Sequence, residues 1–233
     1  MFKGRKVSVV MPAYNEEPNI ENAVREFKRL KYVDEVVVVD NNSTDRTAEL
    51  ARKTGARVVS EKRQGYGYAC RRALKEAKGY YIVLVEPDGT FDPEDILKFL
   101  AYSKDFDFVL GTRTTKELIW KGSNMDWFLR WGNWVLSKMV ELLYNGPHLS
   151  DVGCTYRLIK KRSLERIQDR FTVGGSHFSP EMMILALKNR IRTIEIPVNY
   201  KPRRGESKIT GERKKAFKLG LRMIRLIIGY LFK

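Results

Sequence analysis

Glu86 and Asp88 are the residues whose types and spacing most plainly invite chemistry. They follow residues 80–85 (YYIVLV), an apolar run rich in β-branched and aromatic residues, long enough for a buried strand and too short for a capped helix. If the chain stays extended through Pro87, two carboxylates two positions apart leave it on the same side. Oxygen ligands so paired suit a hard divalent cation that keeps waters and bridges substrate phosphates. Acids after a strand also simply solvate turns, and the pair alone does not separate the two readings. Gly89 then turns the backbone, and residues 92–95 (DPED) read as the N-cap and acidic first turn of a helix.

The elements that must position this pair are visible upstream. Residues 6–11 (KVSVVM) predict a first strand, 12–18 (PAYNEEP) a loop, and Asn19 opens a helix with Ile20, Ala23, Val24, Phe27 and Leu30 at helical spacing. Residues 35–39 (EVVVV) are a second strand closing on 40–45 (DNNSTD), with a helix from Arg46 or Thr47. Residues 57–60 are a third, followed by Lys62, Arg63, Gln64, the loop GYGYA (65–69) and a helix to about Lys78. This alternation predicts a parallel sheet with helices on both faces, whose ligands bind beyond the carboxyl ends of the strands. Tyr14, Asn15 and Glu16, then Asp40 and Asn41, then Glu86 and Asp88 should therefore face one crevice. A carboxylate placed like Asp40 commonly accepts hydrogen bonds from a ribose or base edge. The first loop has no GxGxxG, which argues against a dehydrogenase, and no GxxxxGK[ST] is present, which removes a P-loop. Gly65 and Gly67 read as turn formers.

A chain of 233 residues buries a full core and fits one large domain or one and a half. Cys70 and Cys154 are too few and too far apart for a disulfide framework or zinc ribbon, so a reducing compartment is expected. The N-terminal apolar run is too brief for a signal peptide, and no stretch approaches the ~20 apolar residues that span a bilayer. The net charge of +16 is lopsided: residues 1–110 hold 19 Lys and Arg against 18 acids, and residues 111–233 hold 25 against 10. An anionic partner, whether nucleic acid, anionic lipid or phosphorylated substrate, belongs to the second half.

In that half, residues 105–110 (DFDFVL) predict a strand delivering Arg113 either to the crevice or to the surface. Residues 120–144 hold all four tryptophans with Lys121, Arg130 and Lys138 among them, a pattern that suits a membrane interface, core packing or a dimer contact. Residues 176–183 open a helix, with Pro180 in its first turn and Glu181 expected near the pocket mouth. Residues 194–200 form a last strand, and Gly205, Glu206, Ser207 and Lys208 read as a mobile loop. From 213 to 232 runs an amphipathic helix with an apolar stripe of Phe217, Leu221, Ile224, Ile228 and Leu231 and a basic one of Lys214, Lys218, Arg222 and Arg225. Such a helix lies in a lipid surface or docks on the sheet.

Taken in order, PAYNEEPNI (12–20), VVVVDNNSTDRT (36–47), QGYGYACRRAL (64–74), VEPDGTFDPED (85–95), GTR (111–113), DVGCTYR (151–157) and RRGESK (203–208) resemble family 2 glycosyltransferases. The nearer match is to polyprenyl-phosphate sugar transferases of the dolichol-phosphate mannosyltransferase type. The resemblance implies a GT-A-type, Rossmann-like α/β fold with a mostly parallel sheet and helices on both faces. It implies a catalytic domain over 1–211 and a basic C-terminal amphipathic helix over 212–233. Pro12, Tyr14, Glu16 and Asp40 would hold base and ribose, Glu86, Pro87 and Asp88 would complete the donor site, and Lys208 would reach its phosphates. Asp88 would bind Mg²⁺ or Mn²⁺. Glu86 stands where the family usually has Asp, and either ligates the metal or holds the sugar side. Thr90 stands where several relatives carry a Gln ligand. Arg113, Arg130 and Arg203 would meet the acceptor phosphate, although Trp131 falls on the family's arginine position. Asp151 lies in the loop lining the sugar and acceptor side.

The implied reaction is inverting transfer of mannose or glucose from a GDP- or UDP-hexose to a polyprenyl or dolichyl phosphate. The enzyme would be cytoplasmic, peripheral on the inner face of the cell membrane. A phosphate monoester is largely dianionic near neutral pH, so no strong general base is required. Transfer to a hydroxyl would need one, and Asp151 is the convenient candidate. A basic nucleic-acid-binding protein is the rival of another class; it leaves the acidic crevice unused, and no specific nucleic acid is expected.

Overall fold

The β-branched runs of the first half become the interior of one sheet. The computed structural model describes residues 1–123, 126–203 and 213–233. In chain order the strands are β1 (Val7–Ala13), β2 (Glu35–Asp40), β3 (Arg57–Ser60), β4 (Tyr81–Leu84), β5 (Phe108–Thr112), β6 (Arg157–Lys160) and β7 (Thr193–Pro197). The helices are α1 (Glu17–Lys28), α2 (Thr47–Lys53), α3 (Tyr66–Glu76), α4 (Ile96–Tyr102), α5 (Trp127–Leu143), α6 (Lys161–Glu165), α7 (Phe178–Lys188) and α8 (Arg213–Gly229). The sheet has seven strands in the order β3-β2-β1-β4-β6-β5-β7. β6 runs antiparallel between β4 and β5, and the other pairings are parallel.

Strand alternation divides the core into two layers. Val9, Met11, Val36, Val38 and Val83 face α1 and α4, where Ile20, Val24, Ile96 and Phe99 close the layer. Val10, Val37, Ile82 and Leu84 face α3, α5, α7 and α8. The C-terminal helix belongs to this second layer, since Met223, Ile227 and Tyr230 are buried against it. Its buried face is thus not the expected stripe: Phe217, Leu221, Ile228 and Leu231 are 61, 51, 43 and 42 % exposed. The residues that pack are offset around the same helix, because α8 has apolar side chains on two faces.

Three expectations shift. The strand foreseen at 105–110 starts later, at Phe108, and runs through Gly111 and Thr112, while Asp107 pairs with Lys160 and Arg162. The last strand ends at Pro197, and Tyr200 instead bridges Phe91 and Ile119. Glu181 is fully buried and accepts hydrogen bonds from Thr172 N, Val173 N and Tyr230 Oη, so it anchors α7 and does not stand at a pocket mouth.

The stretch expected as a loop at 65–69 is instead the start of α3, and Gly67 shows why it carries glycine. Its N–H donates to Gly174 O at 2.9 Å. A Cβ there would sit 2.5 Å from Val173 O and 2.8 Å from Gly174 C. Both obstacles are backbone, so Gly67→Ala should destabilise the fold by about 1–3 kcal/mol in urea unfolding.

Candidate active site

The loops after β1, β2 and β4 converge at the carboxyl edge of the sheet, as the topology requires. Pro12, Tyr14, Glu16, Glu86, Pro87, Asp88, Arg113 and Arg203 line a single cavity of ≈ 580 Å³. Of the other expected site residues, Asp40, Thr90, Arg130 and Asp151 are not among its lining residues, although Asn41 and Trp131 are. Asp40 Oδ1 is nevertheless buried with no hydrogen-bond partner. Lys208, with the 205–208 loop, lies outside the described residues.

Asp88 is 2 % exposed. Its Oδ1 accepts from Thr90 N at 3.0 Å and Thr90 Oγ1 at 2.6 Å, and its Oδ2 lies 3.3 Å from Arg203 Nη1. The Thr90 hydroxyl is therefore spent on orienting Asp88, which differs from the direct metal contact expected of it. The other arm of Arg203 donates to Glu16 Oε1 at 2.8 Å. Glu16, Glu86 and Asp88 all pull on this one guanidinium and, against the cost of its burial, raise its pKa. Burial of Glu86, with repulsion from Asp88, pushes its carboxyl up to about 7.

Glu16 and Asp88, with Glu86 partly ionised near neutral pH, face one guanidinium, and the excess negative charge fits a divalent cation beside a diphosphate. No cluster of three or more His, Cys, Asp or Glu side chains able to hold a metal occurs among the described residues. A cation that takes one or two carboxylates and completes its shell with phosphate oxygens and water needs none.

Across the crevice Asp151, 0 % exposed, grips Arg113. Arg113 Nε and Nη2 donate to its two oxygens at 2.8 and 2.9 Å, Arg113 N donates at 3.0 Å and Gly153 N at 3.1 Å. Burial opposes ionisation of Asp151, but the Arg113 charge and these bonds outweigh it and hold its carboxyl below the usual range. A carboxylate with both oxygens engaged and no solvent access is poorly placed to take a proton from a hydroxyl. Its visible occupation is holding Arg113, which also lies 5.2 Å over the Tyr200 ring.

Behind this pair Glu195 accepts from Ser150 N, Ser150 Oγ and Asp151 N, and burial pushes its carboxyl up to about 7. The folded state thus keeps on Glu195 a proton that the unfolded chain releases near its ordinary 4.5. Stability supplied by that proton is full below about pH 4.5 and is lost as pH rises toward 7. Denaturant unfolding should show stability falling between pH 5 and 7.5, with a shallower fall in Glu195→Gln.

Sequence reasoning missed the apolar half of the cavity. From the polar end it continues between α5 and α8, along Phe128, Val135, Leu136, Phe217, Leu221 and Ile224. Trp131 on its lining is 59 % exposed, and Trp120, Trp127 and Trp134 outside it are 50, 68 and 47 % exposed, so core packing does not account for the tryptophans. The signal was present in the mixture of apolar and basic residues on both helices. Their mutual packing was not.

The α/β sheet is GT-A-like, with paired carboxylates in a crevice at its carboxyl edge. The chain belongs to glycosyl transferase family 2, whose family model matches residues 8–168. It is 34 % identical to the low-salt glycan biosynthesis hexosyltransferase Agl6 of Haloferax volcanii over 97 % of its own length, while spanning 55 % of that relative. It is 31 % identical to a dolichyl-phosphate hexose transferase of the same organism, with 87 % of this chain and 86 % of the relative covered. Its fold matches glucosyl-3-phosphoglycerate synthase of Mycobacterium tuberculosis, solved with Mn²⁺, uridine diphosphate and phosphoglyceric acid, at a TM-score of 0.74 and 19 % identity, covering 98 % of this chain and 79 % of that one.

Proposed function

We propose that the protein transfers a hexosyl group from a nucleoside diphosphate sugar to a polyprenyl phosphate at a membrane surface, with inversion. The supporting observation is that one cavity joins a charged end, with Glu16, Asp88 and Arg113, to an apolar channel between α5 and α8. A water-soluble acceptor needs no such channel; a long isoprenoid does. The relative that acts as a dolichyl-phosphate hexose transferase has the same acceptor chemistry. No helix among the described residues is long and apolar enough to cross a membrane. The exposed tryptophans of α5 and the apolar stripe of α8 instead suit an interfacial position, with Lys218, Arg222 and Arg225 toward anionic headgroups.

In this reading Pro12, Tyr14 and Glu16 hold the nucleoside, with Asp40 at its edge. Asp88, oriented by Thr90, and Glu86 would hold Mg²⁺ or Mn²⁺. The ion, when bound, neutralises charge developing on the leaving diphosphate. Arg203 leaves Asp88 and Glu16 and moves onto phosphate, where its fork fits two oxygens. Arg113, kept charged and oriented by Asp151, presents the acceptor phosphate, and Arg130, on α5 but off the cavity lining, adds only to the positive charge of that face. An acceptor oxygen forms the new bond to the anomeric carbon while the bond to the diphosphate breaks. The dianionic phosphate needs no base.

A thermal-shift titration with GDP, UDP, GDP-mannose and UDP-glucose, each with and without Mn²⁺, tests the donor half. The expected result is metal-dependent stabilisation by one nucleotide class. Indifference to all four would return the basic half to lipid or nucleic-acid binding.

A further inference from the structure

Two glycines stand well inside helices, where only proline is a poorer choice: Gly132 in α5 and Gly220 in α8. Neither has the positive φ that calls for glycine. Neither is crowded, since a Cβ on either would meet nothing within 4 Å. At Gly67, Gly79 and Gly111 a Cβ would instead lie 2.5, 2.7 and 2.9 Å from backbone atoms. Packing accounts for those three glycines and not for these two.

Both line the cavity. So do Phe128 and Leu136, one turn either side of Gly132, and Ala216 and Ile224, one turn either side of Gly220. Residues four apart share a helix face, so each glycine sits in the middle of its helix's cavity wall. Further along, the two helices close on each other: Val140, Met223 and Ile227 are buried in one core layer, and Tyr144 Oη donates to Ile227 O. The gap lies at the glycines.

Its outer side is open, because Trp131, Phe217 and Leu221 line the cavity and are each more than half exposed. Its inner end reaches Arg113. A Cβ on Gly153 would lie 2.6 Å from Asn133 Oδ1 and 3.2 Å from Arg113 Nη2, which puts the residue after Gly132 beside that guanidinium.

We infer that Gly132 and Gly220 determine which acceptors the enzyme takes: their missing side chains hold open a sideways passage between α5 and α8, in which the hydrocarbon chain of a lipid phosphate runs from Arg113 out to the bilayer. This rests on the transferase reading. The walls are apolar, the inner end carries a cation and the outer end a tryptophan, which is the order of surfaces that a phosphate on a long apolar tail presents from head to membrane. A chain that enters from the side does not have to be threaded, so its length beyond the helices goes unread. What the passage reads is girth next to the phosphate, where a methyl-branched chain needs room on both walls.

The test measures transfer from labelled UDP-glucose or GDP-mannose, with Mn²⁺, to polyprenyl phosphate in vesicles by wild type, Gly132→Leu, Gly220→Leu and the alanine variant of each. Gly229→Leu is the control, because a Cβ there also meets open space but Gly229 is off the cavity lining. In each leucine variant of the passage the KM for the lipid should rise roughly 10-fold or more, with the KM for the nucleotide sugar within about twofold of wild type. The alanine variants should keep a lipid KM near that of wild type and melt slightly higher, since alanine is the better helix former. Vesicle co-sedimentation should be equal or tighter with leucine, so lost transfer does not reflect detachment. An unchanged lipid KM in both leucine variants overturns the passage and leaves the transferase reading standing. An equal loss for nucleotide sugar and lipid, or the same loss in Gly229→Leu, also overturns it, since either reports a damaged helix. Wild type that labels no lipid phosphate overturns the transferase reading and the passage with it.

Discussion

Asp88→Asn should lower kcat/KM for sugar transfer by about 10²–10³-fold, with little change in melting temperature. The separation of the two effects follows from which oxygen does what. Oδ1 takes both Thr90 bonds, at 3.0 and 2.6 Å, and an asparagine oxygen accepts them equally well. The Oδ2 position, 3.3 Å from Arg203 Nη1, becomes an NH₂ group that repels both guanidinium and metal. Steady-state kinetics with a polyprenyl phosphate acceptor, alongside a Mn²⁺ titration, reads both consequences. A variant retaining more than about a tenth of wild-type activity would remove Asp88 from the metal site.

Asp151→Asn is expected to have the largest effect on stability, about 3 kcal/mol, or a melting point lower by roughly 6–12 °C. Asp151 is 0 % exposed and the Arg113 side chain 13 %, so removing the negative partner leaves a buried guanidinium uncompensated. Replacing both members together with Leu and Met should recover much of that stability, because the cost lies in the unpaired charge. Activity of the double variant should stay low, since Arg113 is then absent from the crevice. Were Asp151 a general base for a hydroxyl acceptor, Asp151→Asn would abolish turnover while leaving stability near that of wild type.

The strands β1, β2 and β4, and with them the arrival of Glu16, Glu86 and Asp88 at one cavity, were legible because apolar runs, turn residues and parallel topology all agree there; Asp40, expected beside them, is not on its lining. β6 was not. Its four residues RLIK carry two charges, and both are buried: Arg157 donates to three backbone carbonyls and Lys160 pairs with Asp107. Binary patterning reads such residues as surface. The same blindness made Asp151 look free to act as a base, since its partner Arg113 is 38 positions distant. For α8 the amphipathic period was visible, but with apolar residues on two faces only packing decides which is buried. Met223, Ile227 and Tyr230 were chosen by the fit to α5 and α7. The cavity between α5 and α8 is likewise a property of tertiary packing, so no local pattern announced it.

The central claim is that a phosphate on an apolar tail is the acceptor. The most direct measurement incubates the full chain with radiolabelled UDP-glucose or GDP-mannose, Mn²⁺ and vesicles holding either a polyprenyl phosphate or the matching polyprenol. Label should appear in the lipid phase with the phosphate and not with the alcohol, and it should do so in a nucleotide- and metal-dependent way. Equal labelling of the polyprenol, or transfer only to a water-soluble acceptor, would contradict the account.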